Sequence, residues 1–471
     1  MRSGVSSFSF LGLAIAATLM LLFGRETLPG AIAAGVGVGL MVLFIALEFR
    51  AAKPVQMWTS AGLLAVGLLL IVVASEGSLE GLGLIYKGLV QNLQYLLLFA
   101  SIVWLQVQAT QSPSLLELRE RAMSMPGGSR SNSIMGVAFS LGSSFNIAAL
   151  GLMVPLFGPD TPLPLRQRLM QAVSKGFMIA TAWSPVFVGT AVILASLEGV
   201  SWVDVGLGGL ILALVLLAAQ WAFDGIYRRL DPAAAAARKI LLEREHIELR
   251  LGLVAVLLRS VAIVVSLFAA LAFAVSVFGL SIPVALAFSA PVFGLIWAFL
   301  IRREVGQAKA DGPVASVGKV LRHYPTLRGE TLLFAAANIF GVGIQALLAQ
   351  MLGQEGQSLA AVLGWSEPIL LVVSILGFFL ICVLGMHPLV SVILLTTLFS
   401  AQDLGLAPWS FAVMMMALWG TSTNASPVSA TSIVLSRMAE ISNFPVAWRV
   451  NLPFSLVNLV VILAVFLGLQ A

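Results

Sequence analysis

Apolar runs of about 20 residues recur along the chain, the length a helix needs to cross a hydrocarbon core. Read this way, spans are expected over 10–24, 29–48, 57–75, 85–108, 172–197, 203–223, 254–278, 283–301, 330–350, 408–436 and 448–469, eleven in all. The first run lacks a small-residue cleavage site and a second follows closely, so a retained helix is expected. Two further apolar stretches, 132–158 and 368–400, are broken near their middles. The breaks fall at Gly142-Ser143-Ser144-Phe145-Asn146 and at Gly385-Met386-His387-Pro388. Non-helical backbone at that depth is tolerated only inside protein or beside a water-filled cavity, which suits a re-entrant hairpin. The expected fold is therefore all-α and integral to a membrane, with about eleven transmembrane helices plus two re-entrant hairpins.

Composition agrees. Of 471 residues, 59% are hydrophobic and 10% charged, too little charge to cover a soluble protein of this length. The net charge of +5 does not indicate nucleic acid, because the basic residues lie between apolar runs, where they set orientation. Place the N-terminus in the cytoplasm and let each hairpin return to its own side. Then Arg50, Lys53, Arg119, Arg121, Arg130, Arg166, Arg168, Arg437, Arg449 and the stretches 228–250 and 302–328 fall inside. Of 26 lysines and arginines only Arg25 and Lys87 approach the outer face, whose loops carry Glu76, Glu80, Glu355 and Asp403. Making either hairpin a full span inverts every later loop and destroys the bias. A multi-pass protein of the cell (inner) membrane with a cytoplasmic N-terminus is expected. The single cysteine, Cys382, excludes an intrachain disulfide, and His246, His323 and His387 are too scattered for a metal cluster.

The two halves repeat. Ser184-Pro185-Val186 matches Ser426-Pro427-Val428 at an offset of 242, and the hairpin breaks at Asn146 and His387 are offset by 241. The hairpins lie on opposite sides in the topology above, so the arrangement reads as an inverted repeat. The expected organisation is a first helix (1–28), a first repeat (29–223), a cytoplasmic linker (224–250) and a second repeat (251–471). The linker reads equally as a short amphipathic surface helix or as a solvated connector.

Proline removes an N–H and clashes with the preceding turn, so Pro185 and Pro427 should interrupt their helices. An interrupted helix offers N–H groups to an anion at one end and carbonyls to a cation at the other. Small hydroxyl and amide side chains beside the breaks add ligands without bulk: Ser143, Ser144, Asn146, Thr181 and Ser184 in the first half, Thr421, Ser422, Thr423, Asn424 and Ser426 in the second. These, with both prolines and His387, are the candidate substrate- and ion-binding residues. The competing reading is helix packing with hydroxyls bonded to their own carbonyls, and it is preferred for Ser429, Thr431 and Ser432 beyond the break. His387 either titrates near neutral pH and stands in for a bound cation or simply holds the hairpin tip by a hydrogen bond.

On these motifs the chain resembles the ion transporter superfamily, and within it the divalent anion/sodium symporters. That family has eleven spans plus two opposed hairpins, each tip bearing Ser-Asn-Thr with a proline nine residues after the Asn. Here Asn146 precedes Pro155 by nine residues, while His387 occupies the second Asn position, Pro388 the Thr position and Thr396 the place of the later proline. The resemblance implies a homodimer, elevator-type movement and Na+ at the hairpin tips.

The expected function is a secondary active transporter of a small carboxylate-type anion, coupled to sodium or protons. The expected partners are that anion and membrane lipid, with no nucleic acid and no cofactor other than the coupling ion. A cation/proton antiporter is the alternative, but it needs a carboxylate at the membrane centre, and none lies in the breaks. A membrane enzyme acting on lipid-linked substrates needs a large outer loop or a catalytic cluster. The longest outer loop, 351–367, holds only Glu355 and Glu367 as ionisable groups, so no enzyme is expected.

Overall fold

The computed structural model describes residues 2–125, 127–146, 148–154, 162–197, 199–230, 252–305, 311–352 and 359–470. Most of the 224–250 linker and Pro155 lie outside the described residues. Among the described residues twenty α-helices follow one another: α1 Arg2–Phe23, α2 Leu28–Glu48, α3 Pro54–Ala74, α4 Glu80–Ala109, α5 Pro113–Ser124, α6 Gly127–Phe145, α7 Ala148–Met153, α8 Leu163–Ile179, α9 Val188–Ala195 and α10 Trp202–Leu230. Then come α11 Leu253–Phe278, α12 Ile282–Val305, α13 Pro313–His323, α14 Arg328–Leu352, α15 Leu359–Leu363, α16 Glu367–Val383, α17 Pro388–Leu398, α18 Pro408–Ala425, α19 Ala430–Ala439 and α20 Leu452–Gly468. No strand occurs among the described residues.

Nine helices among the described residues are long and apolar enough to cross a membrane, and they coincide with nine of the eleven expected spans. The other two, 172–197 and 408–436, are the ones carrying Ser-Pro. Both are interrupted: α8 gives way to α9 over 180–187, and α18 to α19 over 426–429. The protein is thus all-α and integral to the membrane.

The helices group into two compact units, each drawing on both halves of the chain. The first comprises Met1–Gln108, Ala270–Trp365 and Ile393–Ser400. Its core gathers buried residues of α1, α2 and α4, and the Phe10 ring lies 4.9 Å from Phe44 of α2 and 5.2 Å from Tyr324, between α13 and α14. In α3, a Cβ on Gly67 would meet the Phe340 backbone of α14 at 2.7 Å. Small residues allow such backbone-to-backbone packing where lipid offers no hydrophobic drive.

The second unit comprises Ala109–Ala269, Ser366–Val392 and Ala401–Ala471 and holds both interrupted helices. Four arginines assigned to loops by the charge count sit on its helices and are buried: Arg119, Arg130, Arg166 and Arg168. Each of two helices, α5 and α8, finds partners for its arginines within the unit. Pro113 starts a short helix carrying a Glu117–Arg121 pair (3.1 Å), Arg119 donates to the Leu152 carbonyl (3.1 Å), and Arg166 pairs with Glu440 (2.7 Å).

Gly176 of α8 fixes how closely hairpin helix α6 approaches. A Cβ there would lie 2.0 Å from the Met135 carbonyl oxygen, whereas a Cβ on Gly136 would meet none of the described residues within 4 Å. Gly176→Val is therefore expected to cost about 3 kcal/mol, at the upper end of overpacking. Gly136→Ala should be neutral or stabilise by up to about 1 kcal/mol. Thermal midpoints of the purified variants check both, and equal midpoints would refute the close approach.

Candidate functional site

The first hairpin turns at one residue. Asn146 has φ +50°, the left-handed region that asparagine tolerates better than most side chains. Its N–H donates to the Gly142 carbonyl (3.0 Å), its own carbonyl accepts from Ala149 (2.9 Å), and a new helix begins at Ala148. The tip is stitched to the break before α9. Asn146 Nδ2 donates to the Val186 carbonyl (3.1 Å), Ser184 Oγ to the Ser143 carbonyl (2.5 Å), and the Trp183 indole N–H to Ser143 Oγ (2.9 Å). The helix breaks because Pro185 has no N–H to give. Other side chains take the carbonyls exposed by the break: Trp202 donates to Trp183 (2.9 Å) and Thr190 to Ser184 (2.7 Å).

The second break is held differently. Asn424, the last polar residue of α18, accepts from Ser174 of α8, donates to Ser455 (3.2 Å), and its carbonyl accepts from Asn451 (3.3 Å). Ser429 caps α19 by accepting from Ser432 N–H (3.0 Å). Ser426 Oγ, at 1% exposure, lies in the break with no hydrogen-bond partner among the described residues. Pro427 is buried between them.

The two interrupted helices meet. Thr181 Oγ1 lies against the Met178 carbonyl (2.7 Å) and the Met416 carbonyl (3.2 Å). A Cβ on Gly420 would come within 2.0 Å of that hydroxyl. Trp419, beside it, covers Gly189 of α9 on one side and takes the His387 ring edge-on at 5.7 Å on the other. A Cβ on Gly385 would lie 3.9 Å from Val428. Both hairpin tips and both breaks therefore belong to one packed cluster of the second unit. His387 uses Nδ1 to accept the Leu389 N–H (3.2 Å), capping α17, so in this conformation that nitrogen carries no proton.

Not every candidate residue faces the cluster. Ser144 bonds back to the Ser140 carbonyl (3.2 Å) and Thr423 to the Trp419 carbonyl (2.6 Å), the local back-bonding of helix packing. Thr421 and Ser422 are buried in α18. The sequence reading missed Ser174, Trp183, Trp419 and Gly420. It also missed a buried charge cluster: Asp224 of α10, 0% exposed, pairs with Arg168 and with Lys175 (2.6 Å), whose ammonium sits 4.0 Å from the Phe454 ring centroid. Lys175 adjoins Ser174, the partner of Asn424. The signal was present, since a lysine inside an expected span calls for a counter-charge.

No protein family and no curated protein matches the sequence. Solved structures do match in fold. The Alcanivorax borkumensis YdaH transporter, described as having an unusual topology, aligns at TM-score 0.56 and 14% identity over 87% of this chain and 97% of its own. Neisseria gonorrhoeae MtrF, described as illuminating a class of antimetabolite efflux pumps, aligns at TM-score 0.52 and 13% identity over 87% and 94%. The chain shares their fold.

Proposed function

We propose that the protein is a secondary active transporter of a small, carboxylate-type anion driven by sodium or protons. It would sit in the cell membrane with a cytoplasmic N-terminus, as a homodimer of the ion transporter superfamily type, and work by an elevator movement. The observation that carries this reading is the crossing of two interrupted helices at Thr181 and Gly420, with a hairpin tip at each break. Interrupted helices at a repeat interface supply N–H groups for anions and carbonyls for cations. Likeness in fold to the YdaH transporter supports it.

The test is a thermal-shift screen of purified protein against carboxylates and inorganic anions, each with and without sodium. A ligand that binds the native state raises its stability by mass action. A sodium-dependent rise with one anion supports sodium coupling. No rise with any anion, together with no uptake into proteoliposomes, counts against the reading. Export is the second direction, favoured by the fold shared with an efflux pump, and inside-out vesicles distinguish it from import.

His387 bears on coupling. A proton on Nδ1 would expel the Leu389 N–H and release the cap on α17. If that release takes part in coupling, uptake at fixed sodium should depend on pH in the protein and lose that dependence in His387→Gln, which cannot titrate. Identical pH profiles would make His387 a cap and nothing more.

A further inference from the structure

A cavity of about 400 Å³ opens in the second unit among α5, α6 and α11, within the size range of ligand sites. It ends at Ser143 and Trp183, the pair that ties the first hairpin tip to its helix break. Among the described residues no charged side chain lines it. Its polar groups are Ser133, Ser140, Ser143, Ser260 and the Trp183 indole, and two of the hydroxyls are engaged: Ser140 Oγ donates to the Gly136 carbonyl (3.0 Å), and Ser143 Oγ accepts the Trp183 N–H. Ser260, at 6% exposure, has no hydrogen-bond partner among the described residues.

Ordered water needs about two to four polar partners each, which four serines and one indole cannot supply throughout a cavity of about 400 Å³. A charged solute would lose its hydration with nothing in return. Left empty, the walls would forfeit dispersion contacts. Hydrocarbon is the filling that suits all three conditions. The mouth shows where it comes from. Val261 and Val265 of α11 line the cavity while remaining 55% and 57% exposed. Only 11% of the α11 span is buried, the lowest share of the nine spans among the described residues. On a spanning helix those exposed valines face acyl chains.

We propose that this cavity is a lipid site that takes one acyl chain from the bilayer and lays it along hairpin helix α6 as far as Ser143 and Trp183. The chain would brace the outer face of the hairpin whose inner contacts form the candidate site. This inference needs only that the protein is integral to the membrane, and it stands apart from the transport reading.

The test places purified protein in nanodiscs of phosphatidylcholine with brominated or unbrominated acyl chains, because bromine quenches tryptophan on contact. The chain has ten tryptophans, so the Trp183 contribution is taken as the difference between the protein and Trp183→Phe. Gly136→Leu fills the cavity from a position where a Cβ meets no neighbour, and Val264→Phe fills it from α11. Brominated lipid should remove most of the Trp183 emission from the wild-type protein and leave it largely intact in both filled variants. Quenching of the remaining tryptophans should be unchanged, which reports that the variants are folded and inserted. Trp183 emission insensitive to brominated lipid would overturn the site. So would equal quenching of Trp183 in the protein and both filled variants, since bromine would then reach the indole by another route.

Discussion

Asp224→Ala should be among the most damaging single substitutions in the protein. Asp224 is completely buried and pairs with two cations that are themselves buried, Arg168 and Lys175. Removing one partner of a buried pair leaves uncompensated charge and costs about 3–5 kcal/mol. Here two cations lose their common carboxylate. Arginine cannot shed its charge, so the strain cannot be relieved at Arg168 by losing a proton. Lys175→Met makes the complementary case. It leaves the Arg168–Asp224 pair intact and puts an apolar chain against the Phe454 ring, where the ammonium now sits. That variant should lie within about 1 kcal/mol of the parent. Thermal midpoints of the purified variants decide the matter. An Asp224→Ala protein as stable as Lys175→Met would show that the cluster does not depend on its carboxylate.

The asymmetry between what could and could not be read from the sequence has a physical origin. Spans were legible because a helix in hydrocarbon satisfies its own backbone and needs only length and apolarity. The breaks were legible because proline withdraws an N–H whatever surrounds it: Pro185 and Pro427 interrupt their helices where expected. Partners were not legible, because they come from long-range packing. Nothing local to Ser174 announces Asn424, and nothing local to Gly420 announces Thr181, yet these contacts hold the interrupted helices together. Asp224 was hidden for a related reason. It was expected to open the cytoplasmic linker, 224–250, but lies in α10, buried in the second unit. Arg119, Arg130, Arg166 and Arg168 misled in the same way, since the positive-inside rule counts charge near a membrane face and is blind to a helical layer folded there. Of the candidate hydroxyls, Ser144 and Thr423 bond to their own helices, whereas Ser143 and Ser184 bond to each other's segments. Residue type alone cannot tell these apart.

Asn146→Ala should abolish transport while leaving a folded protein. Asn146 performs two tasks that the substitution removes together. Its backbone sits at φ +50°, where alanine is strained by about 1–2 kcal/mol. Its amide also supplies the donor for the Val186 carbonyl at 3.1 Å, and an orphaned buried carbonyl costs about 1–3 kcal/mol. Those losses weaken the tip without removing the packing of α6 on α8, so the thermal midpoint should fall but the protein should remain monodisperse. Transport should suffer more, because the tip would no longer be held at the helix break. A loss of at least about tenfold in uptake corresponds to 1.4 kcal/mol or more in the barrier. Two further variants separate the tasks. Asn146→Gly relieves the backbone and lacks the amide, so it should regain stability and stay inactive. Asn146→Asp tolerates the backbone angle but, when ionised, can only accept, so it should repel the Val186 carbonyl and be inactive as well. Uptake of the anion found in the thermal-shift screen, measured in proteoliposomes beside the midpoints, gives both readouts. Wild-type uptake by Asn146→Gly would remove the side chain from the site and leave Asn146 a turn residue.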